Sequence, residues 1–170
     1  MKEFQQRVKQ IECGIVLDHL DPYTNYKAQK ILGIEDLPAL VIRNYPSRTM
    51  NKKDVVKVEV ENEEELNKLL NRISKNESKI AFLAKNCTLT VIRNASVAEK
   101  HKVMDKLKEA LQKDGLVEKV FKCTNYNCVS NQEKDGKPKF MVHLKNGGYQ
   151  ASCHYCNEIM TEQQIKDNIL

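Results

Sequence analysis

Two tight cysteine pairs constrain this chain more than any other feature. Cys123 and Cys128 stand in "CTNYNC", and Cys153 and Cys156 in "CHYC". The surrounding segment, 116–170, offers only short strand-like pieces, "FMVHL" and "GYQASC", separated by "KDGKP" and "KNGG" turns. So small a piece buries too little apolar surface to hold itself together and needs a staple. Zinc takes four tetrahedral ligands, with thiolate sulfur about 2.3 Å away. Two cysteines separated by two to four residues can bend round one ion, and two such pairs clamp it between loops. The segment between the pairs forms the connecting hairpin. With four protein ligands no position is left for water or substrate, so one structural Zn2+ per chain is expected, contributing on the order of 10 kcal/mol of folding free energy. His154 lies inside the second pair and could replace a cysteine as ligand. Four thiolates already complete the shell, however, so it reads as facing solvent or a partner. Cys13 and Cys87 stand alone in strand-like sequence, as small buried hydrophobes rather than nucleophiles.

The competing use of paired cysteines is a disulfide framework, which belongs to oxidising compartments. The N-terminal "MKEFQQRVKQIECG" mixes charges with apolar residues and has no signal-peptide core. No apolar run approaches the ~20 residues of a membrane span. A cytoplasmic, membrane-free protein is therefore expected. The net charge of +5 permits an anionic ligand but is spread over scattered lysines. A zinc-ribbon nucleic-acid-binding module is the alternative reading. Against it, aromatics make up 6% of the chain, tryptophan is absent, and no arginine-rich stripe appears. A zinc enzyme fails for want of an open ligand position or an acid–base pair.

Upstream of the cysteines the pattern alternates. "CGIVLDHL" (13–20) reads as a strand, and 21–33 as a helix that begins at Pro22 and stops at Gly33. "LPALVIRN" (37–44) is strand-like and 45–53 is turn-rich. "DVVKVEV" (54–60) sets Val56, Val58 and Val60 opposite Lys57 and Glu59, the alternation of a half-buried strand. Residues 62–76 form a helix capped by Asn62 with Glu65 three residues on, and 79–94 hold one or two strands. The order β-α-β-β-α-β predicts an α+β fold whose N-terminal part is a ferredoxin-like antiparallel sheet with two helices. A further helix over 99–114 is expected from Val103, Met104, Leu107 and Leu111. The domains expected are 1–98, a helical connector at 99–115, and a small β zinc-binding domain at 116–170.

"GIVLDHL", "NYPSRTMNKKDVVKVE" and "CTNYNC…CHYC", in that order and spacing, resemble the regulatory chains of aspartate carbamoyltransferase over essentially the whole sequence. The resemblance implies a non-catalytic allosteric subunit of pyrimidine biosynthesis. Such a chain forms a regulatory-chain homodimer, binds CTP/ATP-type nucleotide effectors in its N-terminal domain, and docks its zinc domain on the catalytic chain. It assigns Asp18, His19, Lys53, Lys57 and Lys100 to the nucleotide site, with Ile11, Val55, Thr90 and Ile92 beside them. From pattern alone each of these lysines reads as a solvated surface charge, and Asp18 as a turn carboxylate. The resemblance also implies partner contact by Asn125 and Asn127, whose amides could equally shape the turn round the metal. Two departures stand out. Ala95 occupies the position of a tyrosine that lines the base pocket, which predicts poor discrimination between bases, and Thr90 replaces an asparagine. The stretch between Lys100 and Cys123 is longer than the family's.

Overall fold

The computed structural model describes residues 10–112 and 114–170. In chain order the elements are β1 (Gly14–Leu20), α1 (Asn25–Leu32), β2 (Ala39–Ser47), β3 (Asn51–Glu59), α2 (Glu63–Ser74), α3 (Glu77–Leu83), β4 (Thr88–Arg93), β5 (Ser96–Lys102) and α4 (Val103–Leu111). After these come β6 (Leu116–Glu118), α5 (Val129–Gln132), β7 (Lys139–Lys145), β8 (Gly148–Cys153), β9 (Ile159–Met160) and α6 (Glu162–Asp167). The first sheet runs β2-β3-β1-β4-β5, with every neighbouring pair antiparallel. It is the split βαβ order with one strand added beyond β4, and the α+β expectation holds. The second sheet runs β6-β7-β8-β9. Among the described residues no helix is long and apolar enough to cross a membrane.

Local chemistry explains the elements that the sequence announces. Asn62 accepts a hydrogen bond from the Glu65 N–H at 3.0 Å, and the Glu65 carboxylate accepts one from the Glu61 N–H at 3.1 Å. One donor of the first turn and the N–H just before the cap are thereby satisfied. Leu66, Leu69 and Ile73 of α2 then face the core at helical spacing. Gly33 closes α1 in the left-handed conformation, with φ 64°. On β3, Val56 and Val58 are fully buried against the helices while Lys57 turns the other way.

Three local expectations are corrected. Residues 79–94 hold a helix and a strand, because "KIAFL" forms most of α3. Its Ile80, Ala81, Phe82 and Leu83 are all buried. A short apolar run buried on every side shows no periodicity that would separate helix from strand. Residues 99–102 belong to β5, so the helix expected from 99 begins at Val103. β5 is an edge strand of mostly exposed residues, and it lacks the alternation that reveals a half-buried strand. The turn expected over 45–53 shrinks to 48–50, because β2 continues through Tyr45 and Pro46 and β3 begins at Asn51. Pro46 is tolerated because β2 lies at the sheet edge.

Asp54 sits on β3 with no exposed surface. Its carboxylate accepts hydrogen bonds from the Tyr23 N–H at 2.8 Å, the Asn25 amide at 2.7 Å and the Asn44 N–H at 2.9 Å. One buried charge thus ties the loop after β1 and the bulge in β2 to the centre of the hairpin, its lone pairs taken up by three donors.

The two halves share a core. The Phe82 ring meets Phe121 edge-on at 5.4 Å and Tyr149 edge-on at 5.2 Å, and Phe121 packs on Phe140 at 4.4 Å. The Tyr149 hydroxyl donates to the Phe82 carbonyl across the seam. Charged groups rim it: Lys166 Nζ lies 3.1 Å from Asp21 Oδ2, and Lys79 donates to the Leu170 carbonyl at 3.3 Å.

Candidate functional sites

The four paired cysteines converge. Their sulfurs all lie within 4.8 Å of one another, with Cys123–Cys156 at 3.6 Å and Cys128–Cys153 at 3.7 Å. None is disulfide-bonded. Sulfurs at the corners of a tetrahedron with a metal–sulfur bond of about 2.3 Å stand about 3.8 Å apart, so the spacing suits zinc. Each loop is shaped locally. Asn125 Oδ1 accepts from the Asn127 N–H at 3.0 Å, and the Asn125 carbonyl accepts from the Cys128 N–H at 3.0 Å. Asn131 spans the loop by donating to the carbonyls of Cys123 and Asn125. In the second loop, Asn157 takes a left-handed φ of 59° and donates to the Cys153 carbonyl.

Burial pushes the Cys123 and Cys153 thiols up. Burial opposes ionisation of Cys128 too, but there the Ser130 hydroxyl, 3.1 Å from the sulfur, and the Ser130 N–H bring the thiol to about 7. Four thiolates this close repel one another unless a cation sits among them, so the donor set fits a divalent metal. His154 lies outside the cluster, exposed, with its ring edge-on to Tyr155 at 5.3 Å. Cys87 is fully buried and its thiol is pushed up by that burial, an inert arrangement.

The second candidate site covers the sheet face opposite the helices. Cross-strand pairing sets Leu40, Lys57, Val16, Thr90 and Lys100 in one row across five strands. The next row holds Glu59, Gly14, Ile92 and Val97; on the other side Asp18, Thr88 and Lys102 form a third. Gly14 has a φ of 155°, and a Cβ there would run into the Val58 carbonyl. Lys57 and Lys100, 43 residues apart in the chain, stand three strand spacings apart, about 14 Å. Val55 and Thr90 are nearly buried, at 8% and 9% exposure.

At the end of β1 the Asp18 carboxylate receives Lys53 Nζ at 2.7 and 3.0 Å and the His19 N–H at 2.6 Å. The β1–β3 register shifts here and His19 adopts a left-handed φ of 60°. Histidine tolerates that region better than most residues, and such outliers cluster at functional sites. Ile11 lies at the opposite end of the face, lining a cavity of about 1220 Å³ with Lys57 and Ala95. Asp18, His19 and Lys53 are therefore in contact, and Val55, Lys57, Thr90, Ile92 and Lys100 share their face, with Ile11 at its far margin. Thr88 and Lys102 were not anticipated. Each is two residues from an expected position, Thr90 and Lys100, and strand alternation alone puts it on the same side.

Asn94 and Ala95 form the two-residue β4–β5 turn, both left-handed at φ 50° and 59°. Alanine is strained there and glycine is not. Ala95→Gly is expected to raise stability by about 1 kcal/mol, seen as a higher denaturant midpoint at unchanged slope. A lower midpoint would show that the Ala95 methyl contributes more packing than it costs in strain.

Sequence comparison gives both halves a family. Residues 6–104 match the family model "Aspartate carbamoyltransferase regulatory chain, allosteric domain", and residues 116–166 match the "metal binding domain" of the same chain. Aspartate carbamoyltransferase regulatory chains of Methanopyrus kandleri and Pyrococcus horikoshii are 34% and 35% identical, over 96% of this chain and 95% and 97% of theirs. That of Archaeoglobus fulgidus is 36% identical over 88% of this chain and 89% of its own. Both matched models describe regulatory parts, and all three relatives are named as regulatory chains. This chain therefore belongs to the family of aspartate carbamoyltransferase regulatory chains, a regulatory rather than a catalytic subunit.

Proposed function

We propose that this subunit binds nucleoside triphosphates on the outer face of its first sheet and transmits their binding to an aspartate carbamoyltransferase catalytic chain. The row of Lys57, Val16, Thr90 and Lys100, beside the Asp18–Lys53–His19 group, carries the reading. The Lys100 ammonium meets a polyphosphate as a point charge, while Val16, Thr90 and Ile92 give a base and ribose a flat, weakly polar floor and Lys57 donates to them from the other end of the row. The same row weighs against the nucleic-acid alternative, since its residues supply no aromatic ring for bases to stack on.

In this reading Cys123, Cys128, Cys153 and Cys156 hold one Zn2+ that fixes the loops of the second half, and the metal supplies no chemistry on a substrate. Those loops present Tyr126 at 81%, Val129 at 44%, Tyr155 at 46% and Ile159 at 63% exposure, an apolar surface suited to a protein partner. Asn127 lies exposed within it and serves as a contact residue. Asn125 is committed to the turn by its side-chain hydrogen bond, so its role in docking is to hold Asn127 in place. The allosteric domain extends through β5, α4 connects it to the metal-binding half, and the edge strand β2, with Leu40 and Tyr45 exposed, offers a surface for the regulatory homodimer.

Lys57→Ala is expected to weaken triphosphate binding by about 1–3 kcal/mol, the scale of a lost charge-assisted contact. Isothermal titration with a purine and a pyrimidine triphosphate checks it. Unchanged affinity for both removes Lys57 from the site.

A further inference from the structure

The seam between the two halves is not filled along its whole length. Where the β7–β8 turn faces the ends of β4 and β5 and the start of α4, it leaves a cavity of about 570 Å³. That volume falls within the ~300–1,000 Å³ of small-ligand sites. Both halves build its wall. His19, Thr88 and Lys102 come from the first sheet, Lys108 from α4, and Lys145 from the end of β7. Lys85 lines it as well, held by the Gly147 carbonyl at 3.2 Å and by Glu162 at 3.6 Å. Asp105 is the single carboxylate among these lining residues, against four lysines.

Thr88 Oγ1 is buried without a hydrogen-bond partner, and buried His19 Nδ1 has only the Asp18 carboxylate beside it, 3.4 Å away. Buried polar atoms are normally paired, so the partnerless Thr88 hydroxyl beside an excess of positive charge points to an anionic ligand with several acceptor oxygens. The cavity also adjoins the outer sheet face. Thr88 and Lys102 are cross-strand partners one row beyond Thr90 and Lys100, about 6.8 Å along the strands. The left-handed His19 stands at the junction, touching Asp18 on the face and lining the cleft.

We propose that this cleft receives the polyphosphate end of a nucleotide lying on the outer sheet face, so that the β7–β8 turn of the metal-binding half is part of the effector site. The inference rests on the nucleotide reading above. The Thr88 hydroxyl donates to a phosphate oxygen, while Lys102, Lys108 and Lys145 supply charge from three separate elements. A ligand gripped by both halves binds more tightly to one relative seating than to others, and that difference in affinity is what regulation across the seam requires.

The test is isothermal titration of the full-length, metal-loaded chain with a nucleoside triphosphate, the matching nucleoside, and inorganic tripolyphosphate. Lys145→Ala and Lys108→Ala are each expected to weaken both triphosphates about tenfold and to leave the nucleoside unchanged. Both substitutions fall on charged side chains outside the core, and thermal melting confirms that the variants fold. If both bind the nucleoside triphosphate as the parent does while Lys57→Ala weakens it, the cleft is overturned and the outer-face reading stands. If the parent chain binds no nucleoside triphosphate, both readings fall. Tripolyphosphate binding that depends on Lys145 would then mark the cleft as a site for free polyphosphate instead.

Discussion

Chelation of the metal is expected to unfold residues 116–170 while the first sheet survives. The four sulfurs within 4.8 Å are the centre to which β8 and the loops around 123–128 and 153–156 converge. Without the ion, the buried thiols take up protons and the loops lose their common anchor. A structural zinc contributes on the order of 10 kcal/mol, which exceeds what so small a half can supply from its own core. Hydrogen exchange should show protection lost at the β7 and β8 amides and kept at β1, β3 and β4. Metal analysis should return about one zinc per chain, and Cys153→Ser should reproduce the chelated pattern. Acid should act as the chelator does, because protons compete with the metal for thiolate. Full protection of β7 and β8 after complete metal removal would show that packing alone holds this half. Loss of the metal should also detach a catalytic partner without inactivating it.

The second large effect is expected at the seam. Phe82→Ala should destabilise the chain by about 3–5 kcal/mol, the range for truncating a fully buried aromatic side chain. Phe82 has no exposed surface and meets Phe121 and Tyr149 edge-on, both from the metal-binding half. Its backbone carbonyl also receives the buried Tyr149 hydroxyl. The substitution therefore opens a cavity at the contact that joins the two cores. Denaturant unfolding of the parent should follow a single transition. In the variant two should separate, the metal-binding half melting at one midpoint and the first sheet at another. A shift below about 1 kcal/mol with one transition retained would mean that the rim ion pairs, not the aromatic cluster, hold the halves together.

The two cysteine pairs were legible because the x4 and x2 spacings are local, and local spacing alone decides whether two sulfurs can reach one ion. The same holds for α2, whose cap and apolar stripe lie within fifteen residues. The α3 segment was not legible. Its apolar run is enclosed by α1 and α4 on one side and the second half on the other, and such burial removes the polar face that marks a helix. β5 was hidden for the opposite reason, since an exposed edge strand needs no apolar face.

The sequence by itself determined the two cysteine pairs, the alternation that sends Lys57 and Val56 to opposite faces of β3, and the α+β order of elements. Only the tertiary structure decided that Lys57, Thr90 and Lys100 lie in one row. Cross-strand register depends on pairings between residues dozens of positions apart, which no local period records. It also decided that His19, Thr88 and Lys102 open onto a cleft shared with Lys145. A bulge in β1 turns His19 there, and the packing of Phe82 against Phe121 and Tyr149 seats the second half opposite it. Local sequence carries the chemistry of each loop and strand face. Which faces meet is a matter of long-range packing, settled by the buried aromatic contacts at the seam.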